Sequence, residues 1–112
     1  MDCIFCKLAN KEIPTEVVYE TENVFVFKDM DPKAPTHLLF VPKKHIKSNN
    51  QVADDDMIIA EIFTAIRKVA KDLGFAEAGY RVVNNCGKDG GQSVDHLHFH
   101  VMAGREMTWP AG

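Results

Sequence analysis

A chain of 112 residues with 46% apolar content can build one modest core, so one domain spanning residues 1–112 is expected. Thirteen basic and sixteen acidic residues leave a net charge of −3, which supplies no polycationic face and argues against nucleic acid as a partner. No apolar run approaches the ~18 residues of a membrane span, and Met1-Asp2-Cys3-Ile4-Phe5-Cys6-Lys7 lacks the charged-then-apolar pattern of a leader, so no membrane partner and a cytoplasmic location are expected.

After a short apolar opening, Val17-Val18-Tyr19-Glu20 and Val24-Phe25-Val26-Phe27 are β-rich runs around the turn-prone Thr21-Glu22-Asn23, which predicts a hairpin. The Asp29 to Pro35 stretch, with its two prolines and two aspartates, reads as a loop. It leads into a short apolar strand, His37-Leu38-Leu39-Phe40-Val41, that stops at Pro42. Asp54, Asp55 and Asp56 suit a helix amino terminus and are read as a solvated helix start. From Met57, apolar residues recur at three-and-four spacing through Ile58, Ile62, Phe63, Ile66, Val69 and Leu73, and Gly74 supplies a carboxyl-terminal cap. Tyr80 to Asn85 reads as a fourth strand, and a glycine-rich loop from Gly87 to Ser93 precedes a fifth. Five strands with a long helix between the third and fourth predict an α+β domain with a mainly antiparallel sheet.

The fifth strand carries the most informative pattern, Asp95-His96-Leu97-His98-Phe99-His100-Val101-Met102. Alternation in a strand places His96, His98 and His100 on one face, spaced at roughly 6 to 7 Å, and turns Leu97, Phe99 and Val101 into the core. Three imidazoles so close cannot all be cationic near neutral pH, and a neutral imidazole serves as nucleophile, general base or metal ligand. A buried histidine ladder with no chemistry is the plainer reading. Gly90 and Gly91 let backbone N–H groups approach an anion, and Gln92 and Ser93 add side-chain donors, with Asn85 close by in sequence. An ordinary hairpin connection is the plainer reading of that loop. If the ligand carries a phosphate, attack by an imidazole makes a covalent phospho-imidazole that water then cleaves.

Three cysteines form an odd set, which fits thiols or metal ligands better than a disulfide framework. Cys3-x-x-Cys6 is open to three readings: a redox pair, two small hydrophobes beside Ile4 and Phe5, or half of a four-coordinate zinc site completed by His45 and His96. Cys86 reads as structural. His37 alone would be an unremarked histidine, and Asp29 and Asp31 would be solvated aspartates or, for Asp29, an acceptor of ribose hydroxyls.

His96-x-His98-x-His100, preceded by Gly90-Gly91-Gln92-Ser93, resembles the histidine triad family of nucleotide hydrolases and transferases. Asp29, Ala34-Pro35-Thr36-His37, Pro42-Lys43-Lys44-His45-Ile46 and Trp109-Pro110-Ala111-Gly112 resemble its Hint branch. The resemblance implies a five-stranded antiparallel sheet with one long and one short helix, and a homodimer whose two sheets join into one. It implies a purine nucleoside 5′-phosphoramidate as substrate, cleaved to the nucleoside monophosphate and an amine. On that pattern His98 is the nucleophile, His100 binds the phosphoryl group and hydrogen-bonds with His37, His96 flanks the site, and Ser93 stands near the leaving nitrogen. Asp29 would hold the ribose; Asn85, Gly91, Gln92 and Ser93 would contact phosphate. Ile4, Phe5, Leu8, Phe27 and Met30 would line the base pocket, and Trp109 would reach toward the partner subunit's site.

No cofactor is required for that route; Cys3, Cys6, His45 and His96 resemble a structural zinc site of some bacterial members. Asp95 departs from the pattern, since this position is usually apolar in the branch. Three other readings use the same residues. They are a dinucleoside polyphosphate hydrolase, a nucleotide-binding regulatory protein with incidental hydrolysis, and a zinc hydrolase with its metal on the histidine strand.

Overall fold

The computed structural model describes residues 3–112; Met1 and Asp2, the start of the stretch read above as lacking a leader, lie outside the described residues. Its elements in chain order are α1 (Ile4–Ala9), β1 (Val17–Glu20), β2 (Val24–Lys28), β3 (Thr36–Pro42), α2 (Ile58–Leu73), β4 (Tyr80–Val83) and β5 (Phe99–Ala103), with a short 3-10 turn at Asn49–Gln51. The five strands form one antiparallel sheet in the order β1-β2-β3-β5-β4, so β1 and β4 are its edges and β3 its centre. The expected α+β architecture, with its long helix between the third and fourth strands, is the observed one.

Strand alternation divides the apolar residues between two layers. Val24, Val26, Leu38, Phe40, Phe99 and Val101 face α2, which returns Ile58, Ile62, Ala65, Ile66, Val69 and Ala70 from one stripe of its surface. Phe25, Phe27, Leu39 and Val41 face the other way and are covered by Cys3, Phe5 and Ala9 around α1. Since β2 and β3 are buried on both faces, they read as continuous apolar runs rather than alternating ones.

The helix starts directly after the aspartate run, at Ile58 with Met57 as its N-cap. Asp56 Oδ1 accepts the Ile58 N–H at 2.9 Å, satisfying a donor that the first turn leaves free. Gly74 ends it at φ +84°, a left-handed conformation that favours glycine, and the Phe75 N–H then donates to Ala70 O at 3.0 Å. No helix among the described residues is long and apolar enough to cross a membrane.

Two strand expectations are corrected, and the larger concerns the fifth strand: it starts at Phe99, so His96 and His98 precede it and only His100 lies within it. The cause is visible in the partners. The Leu97 N–H donates to Ile46 O at 2.7 Å, in the segment beyond the end of β3, instead of joining the ladder. The facing survives this change, because Leu97, Phe99 and Val101 are all buried in the α2 layer. The fourth strand is also shorter than read, ending at Val83; Asn84 turns its amide onto His98 O at 2.9 Å.

Ile62 has no exposed surface and sits where α2 meets the sheet. Ile62→Ala should lower unfolding stability by about 2–5 kcal/mol in chemical denaturation, through lost burial and the cavity left behind.

Candidate active site

The site lies on the sheet face opposite α2, where the segment before β5 meets β3 and α1. In the register between β3 and β5, His37 pairs with Met102 and Leu39 with His100, which makes His37 and His100 diagonal neighbours on one face. Their rings meet, with His37 Nε2 2.9 Å from His100 Nδ1. The backbone around each histidine assigns its tautomer, because carbonyls only accept and N–H groups only donate.

His37 Nδ1 accepts the Lys33 N–H at 2.9 Å, so the neutral ring carries its proton on Nε2 and donates it to His100 Nδ1. His100 therefore keeps its own proton on Nε2, the nitrogen away from His37. His98 Nδ1 lies 2.7 Å from His96 O and must donate to it, so in the neutral ring the lone pair of His98 is on Nε2. His96 Nε2 lies 2.8 Å from Pro42 O and must donate, which leaves Nδ1 as the acceptor nitrogen. One chain segment thus presents a basic nitrogen at position 98 and, through His100, a donor fixed two residues further on.

Burial favours the neutral form of His37, His96 and His100. His100 is pushed down to about 4, first by burial and then by His98 and His37, with Asp29 opposing. His37 and His96 are also lowered, each mainly by burial. Asp29 Oδ2 stands 3.3 Å from His37 Nε2 and 3.7 Å from His100 Nδ1, while its Oδ1 accepts the Asp31 N–H at 2.8 Å. Phe5 places its ring edge-on to His98, with centroids 5.1 Å apart, and also meets His96 and Phe27.

The remaining expected residues divide into those the fold brings in and those it leaves in solvent. Leu8 and Phe27 join Phe5 in the α1 layer. Ile4 is half exposed, while Met30 and Trp109 stand in solvent in the single chain. Trp109 is held near β4 by Arg81, which donates to Thr108 O at 2.9 Å and lies 6.0 Å from the indole centroid.

The glycine loop differs from its expected role in detail. Gln92, read above as a side-chain donor, has its amide engaged by the chain itself: Nε2 donates to Lys47 O, in the segment after β3, at 2.7 Å and to Val94 O at 3.0 Å, and Oε1 accepts the Gly87 N–H at 2.9 Å. The backbone N–H groups of Gly91 and Gln92 likewise donate to Lys88 O and Gly87 O. Among the described residues no hydrogen bond occupies the N–H or hydroxyl of Ser93, so the donors open to a ligand begin there. Gly90 has a different purpose, since a Cβ at that position would come within 2.3 Å of Cys86 O. Asn84, Pro42 and Lys33 hold functional groups in place and were missed. Two of the three act through backbone atoms that any residue type could supply.

On the far side of His96, Cys3, Cys6, His45 and His96 bring their ligand atoms within 4.8 Å of one another. Cys3 Sγ is 3.2 Å from His96 Nδ1, and Cys6 Sγ is 3.4 Å from His45 Nδ1 and 3.5 Å from His96 Nδ1. A tetrahedral ion with bonds of about 2.1 Å to nitrogen and 2.3 Å to sulfur separates its ligand atoms by about 3.6 Å, so the donor set fits such an ion. Burial and the neighbouring Cys3 push the Cys6 thiol up to about 11, so cation binding near neutral pH must displace its proton.

A five-stranded antiparallel sheet that gathers His37, His98 and His100 on one face, with His96 behind them, defines a histidine triad protein. The HIT domain family matches residues 10–107, and the chain belongs to that family. It is 50% identical to a HIT family hydrolase from Legionella pneumophila, with a TM-score of 0.96 over 99% of this chain and 100% of that one. A histidine triad protein from Clostridium difficile is 52% identical, with a TM-score of 0.94 over 96% and 95% of the two chains. A histidine triad nucleotide-binding protein from Candida albicans is 34% identical, with a TM-score of 0.83 over 99% of this chain and 85% of that one.

The lowered His100 has a consequence for stability. Between its ordinary value of 6.5 and about 4, the unfolded chain takes up a proton that the folded chain refuses. Its contribution is therefore fully present above 6.5 and is lost as pH falls toward 4. Urea midpoints at pH 7 and pH 5 should fall on acidification, and by less in His100→Asn. An equal fall in both proteins would remove His100 as the cause.

Proposed function

We propose that this chain hydrolyses purine nucleoside 5′-phosphoramidates through a covalent nucleotidyl-imidazole on His98. The observation that carries the reading is the 2.7 Å contact of His98 Nδ1 with His96 O, which commits the proton to one nitrogen and leaves Nε2 as the attacking lone pair. Nε2 forms a bond to phosphorus while the phosphorus–nitrogen bond breaks, and the amine departs with a proton taken up from solvent water and relayed by the Ser93 hydroxyl, a proton that the later hydrolysis of the phospho-imidazole returns to solvent. His100, its Nδ1 occupied by His37, donates from Nε2 to a non-bridging oxygen and steadies the charge that develops there. Water then cleaves the phospho-imidazole, releasing the nucleoside monophosphate and restoring His98.

In this reading Asp29 accepts the ribose hydroxyls, and Ile4, Phe5, Leu8, Phe27 and Met30 border the purine. Asn85, Gly91, Gln92 and Ser93 surround the phosphate, with the N–H and hydroxyl of Ser93 among the donors not engaged within the chain. The similarity to proteins described as a HIT family hydrolase and a histidine triad nucleotide-binding protein supports the class of reaction. The Trp109-Pro110 terminus favours the phosphoramidate over a dinucleoside polyphosphate.

Two further features belong to the same proposal. Zinc bound by Cys3, Cys6, His45 and His96 is structural; when bound it fixes the amino terminus and the His96 ring and takes no part in the displacement. The thiols it needs persist in a reducing cytoplasm. A homodimer forms through β4, an edge that carries Val82 and Val83, while the β1 edge carries the ion pairs of Glu20 with Lys11 and Lys43. That pairing makes one ten-stranded sheet and brings each Trp109, tethered to Arg81 on β4, toward the neighbouring subunit.

His98→Ala should abolish turnover of adenosine 5′-phosphoramidate, a loss of at least about 10³-fold, while nucleotide binding stays close to wild type. Assaying diadenosine tetraphosphate in parallel identifies the bond cleaved, and faster hydrolysis of the tetraphosphate would move the chain to the polyphosphate hydrolases. Sedimentation should give twice the 12.6 kDa chain mass; a species at the single-chain mass would remove the β4 interface.

A further inference from the structure

The loop that carries Asp29 and leads to His37 is fastened to the end of the chain by two contacts that the proposed reaction does not use. Across its base the Asp29 N–H donates to His37 O at 3.0 Å. Pro32 and Pro35 have no N–H to give and hold the residues before them, Asp31 and Ala34, toward extended conformations, so the tip between them relies on side chains for support. Lys33 stands at that tip with both main-chain groups taken by side chains. Its N–H donates to His37 Nδ1 at 2.9 Å, and its carbonyl accepts from Arg105 Nε at 3.0 Å. The guanidinium of Arg105 spans a second carbonyl, donating from Nη1 to Glu106 O at 3.2 Å, and its planar, permanently charged fork fixes both at once. The other contact is steric. Gly104 turns the chain after β5 at φ +94° directly against Pro35, and a Cβ there would come within 2.8 Å of the proline ring. Glycine adopts this conformation without strain and lets the loop lie that close.

This fastening decides where two protons lie. The neutral His37–His100 pair has two self-consistent forms. In one, His37 donates from Nε2 to His100 Nδ1, and His100 carries its own proton on Nε2. In the other, His37 carries its proton on Nδ1, its Nε2 accepts from His100 Nδ1–H, and His100 Nε2 is a bare lone pair. The second form sets two donors against each other, His37 Nδ1–H and the Lys33 N–H, so Lys33 selects the first. Asp29 Oδ2, 3.3 Å from His37 Nε2, favours the same form, but in the proposed reaction that carboxylate is engaged by the ribose.

We propose that Gly104 and Arg105 are positioning residues for His100: by clamping the 32–35 loop they hold the Lys33 N–H on His37, which keeps the His100 Nε2 proton aimed at the substrate oxygen. Both act through Lys33 and Pro35 rather than on the rings themselves. The clamp rests on the proposed reaction for its kinetic consequence alone; the placing of the protons needs no substrate.

Arg105→Met removes the donor at an exposed position and keeps much of the stem, with far-UV circular dichroism checking the fold. Long-range proton–nitrogen NMR correlations of His37 and His100 report which nitrogen carries each proton, recorded above pH 6.5, where both rings, lowered from that value, are neutral. Wild type should show a single form with both protons on Nε2, and Arg105→Met an average of the two forms. Adenosine 5′-phosphoramidate kcat should fall about tenfold with KM within about twofold, because the donor serves charge that develops in the transition state; complete loss of such a donor costs about 10²–10³-fold. Arg81→Met loosens the far end of the same terminal segment, at Thr108 O, and should leave the ring signals as in wild type. Unchanged ring signals in Arg105→Met, or an equal shift in Arg81→Met, overturn the clamp. A ring shift confined to Arg105→Met, in a wild-type protein that turns over no phosphoramidate, overturns the proposed reaction and leaves the clamp standing.

Discussion

The hydrogen bond from His98 Nδ1 to His96 O, 2.7 Å long, is the constraint around which the site is arranged. It exists because residues 96 to 98 stand outside the strand ladder, which leaves the His96 carbonyl available to a side chain instead of a neighbouring strand. A segment outside the ladder still needs partners for its other polar groups. Pro42 O takes the His96 ring proton, Ile46 O takes the Leu97 N–H, and Asn84 donates to His98 O. The loop after β3 and the end of β4 are thereby fastened to the histidine segment, and the imidazoles inherit the rigidity of the sheet.

Burial sets the electrostatics of this arrangement. A cationic imidazole on this face would lose hydration and meet other imidazoles, so His37, His96 and His100 lean toward neutrality, His100 most of all. Neutrality gives tautomers their importance, since a neutral ring has one donor and one acceptor and the backbone decides which is which. Lys33, Pro42 and His96 make that decision with main-chain atoms for His37, His96 and His98. Asp29 opposes the lowering of both His37 and His100 without overcoming burial.

The fold also explains how residues at both ends of the chain meet. The β5 strand joins β3 at the sheet centre, which brings positions near 100 beside His37 and the residues after Pro42. The α1 helix lies on the same face and closes the layer with Phe5 and Ala9. Cys3 and His96, 93 residues apart in sequence, are consequently 3.2 Å apart in space. In a chain of this size one sheet face therefore holds both the cluster of His37, His98 and His100 and that of Cys3, Cys6, His45 and His96, which meet at His96.

Much of this was legible in the residues themselves. The three-and-four spacing of Ile58, Ile62, Ile66 and Val69 marked α2, and the alternation of Leu97, Phe99 and Val101 marked the core side of the histidine segment, because burial of apolar side chains acts at every position and leaves a periodic trace. The cluster of His96, His98 and His100 behind a glycine-rich loop marked the candidate site, since so many imidazoles together are costly to bury. Tertiary structure alone decided that β5 begins at Phe99, that Gln92 ties its loop to the segment after β3, and which tautomer each neutral ring takes. Those outcomes depend on carbonyl and N–H groups common to nearly all residues, whose partners are chosen when distant segments pack and leave no mark on the order of side chains.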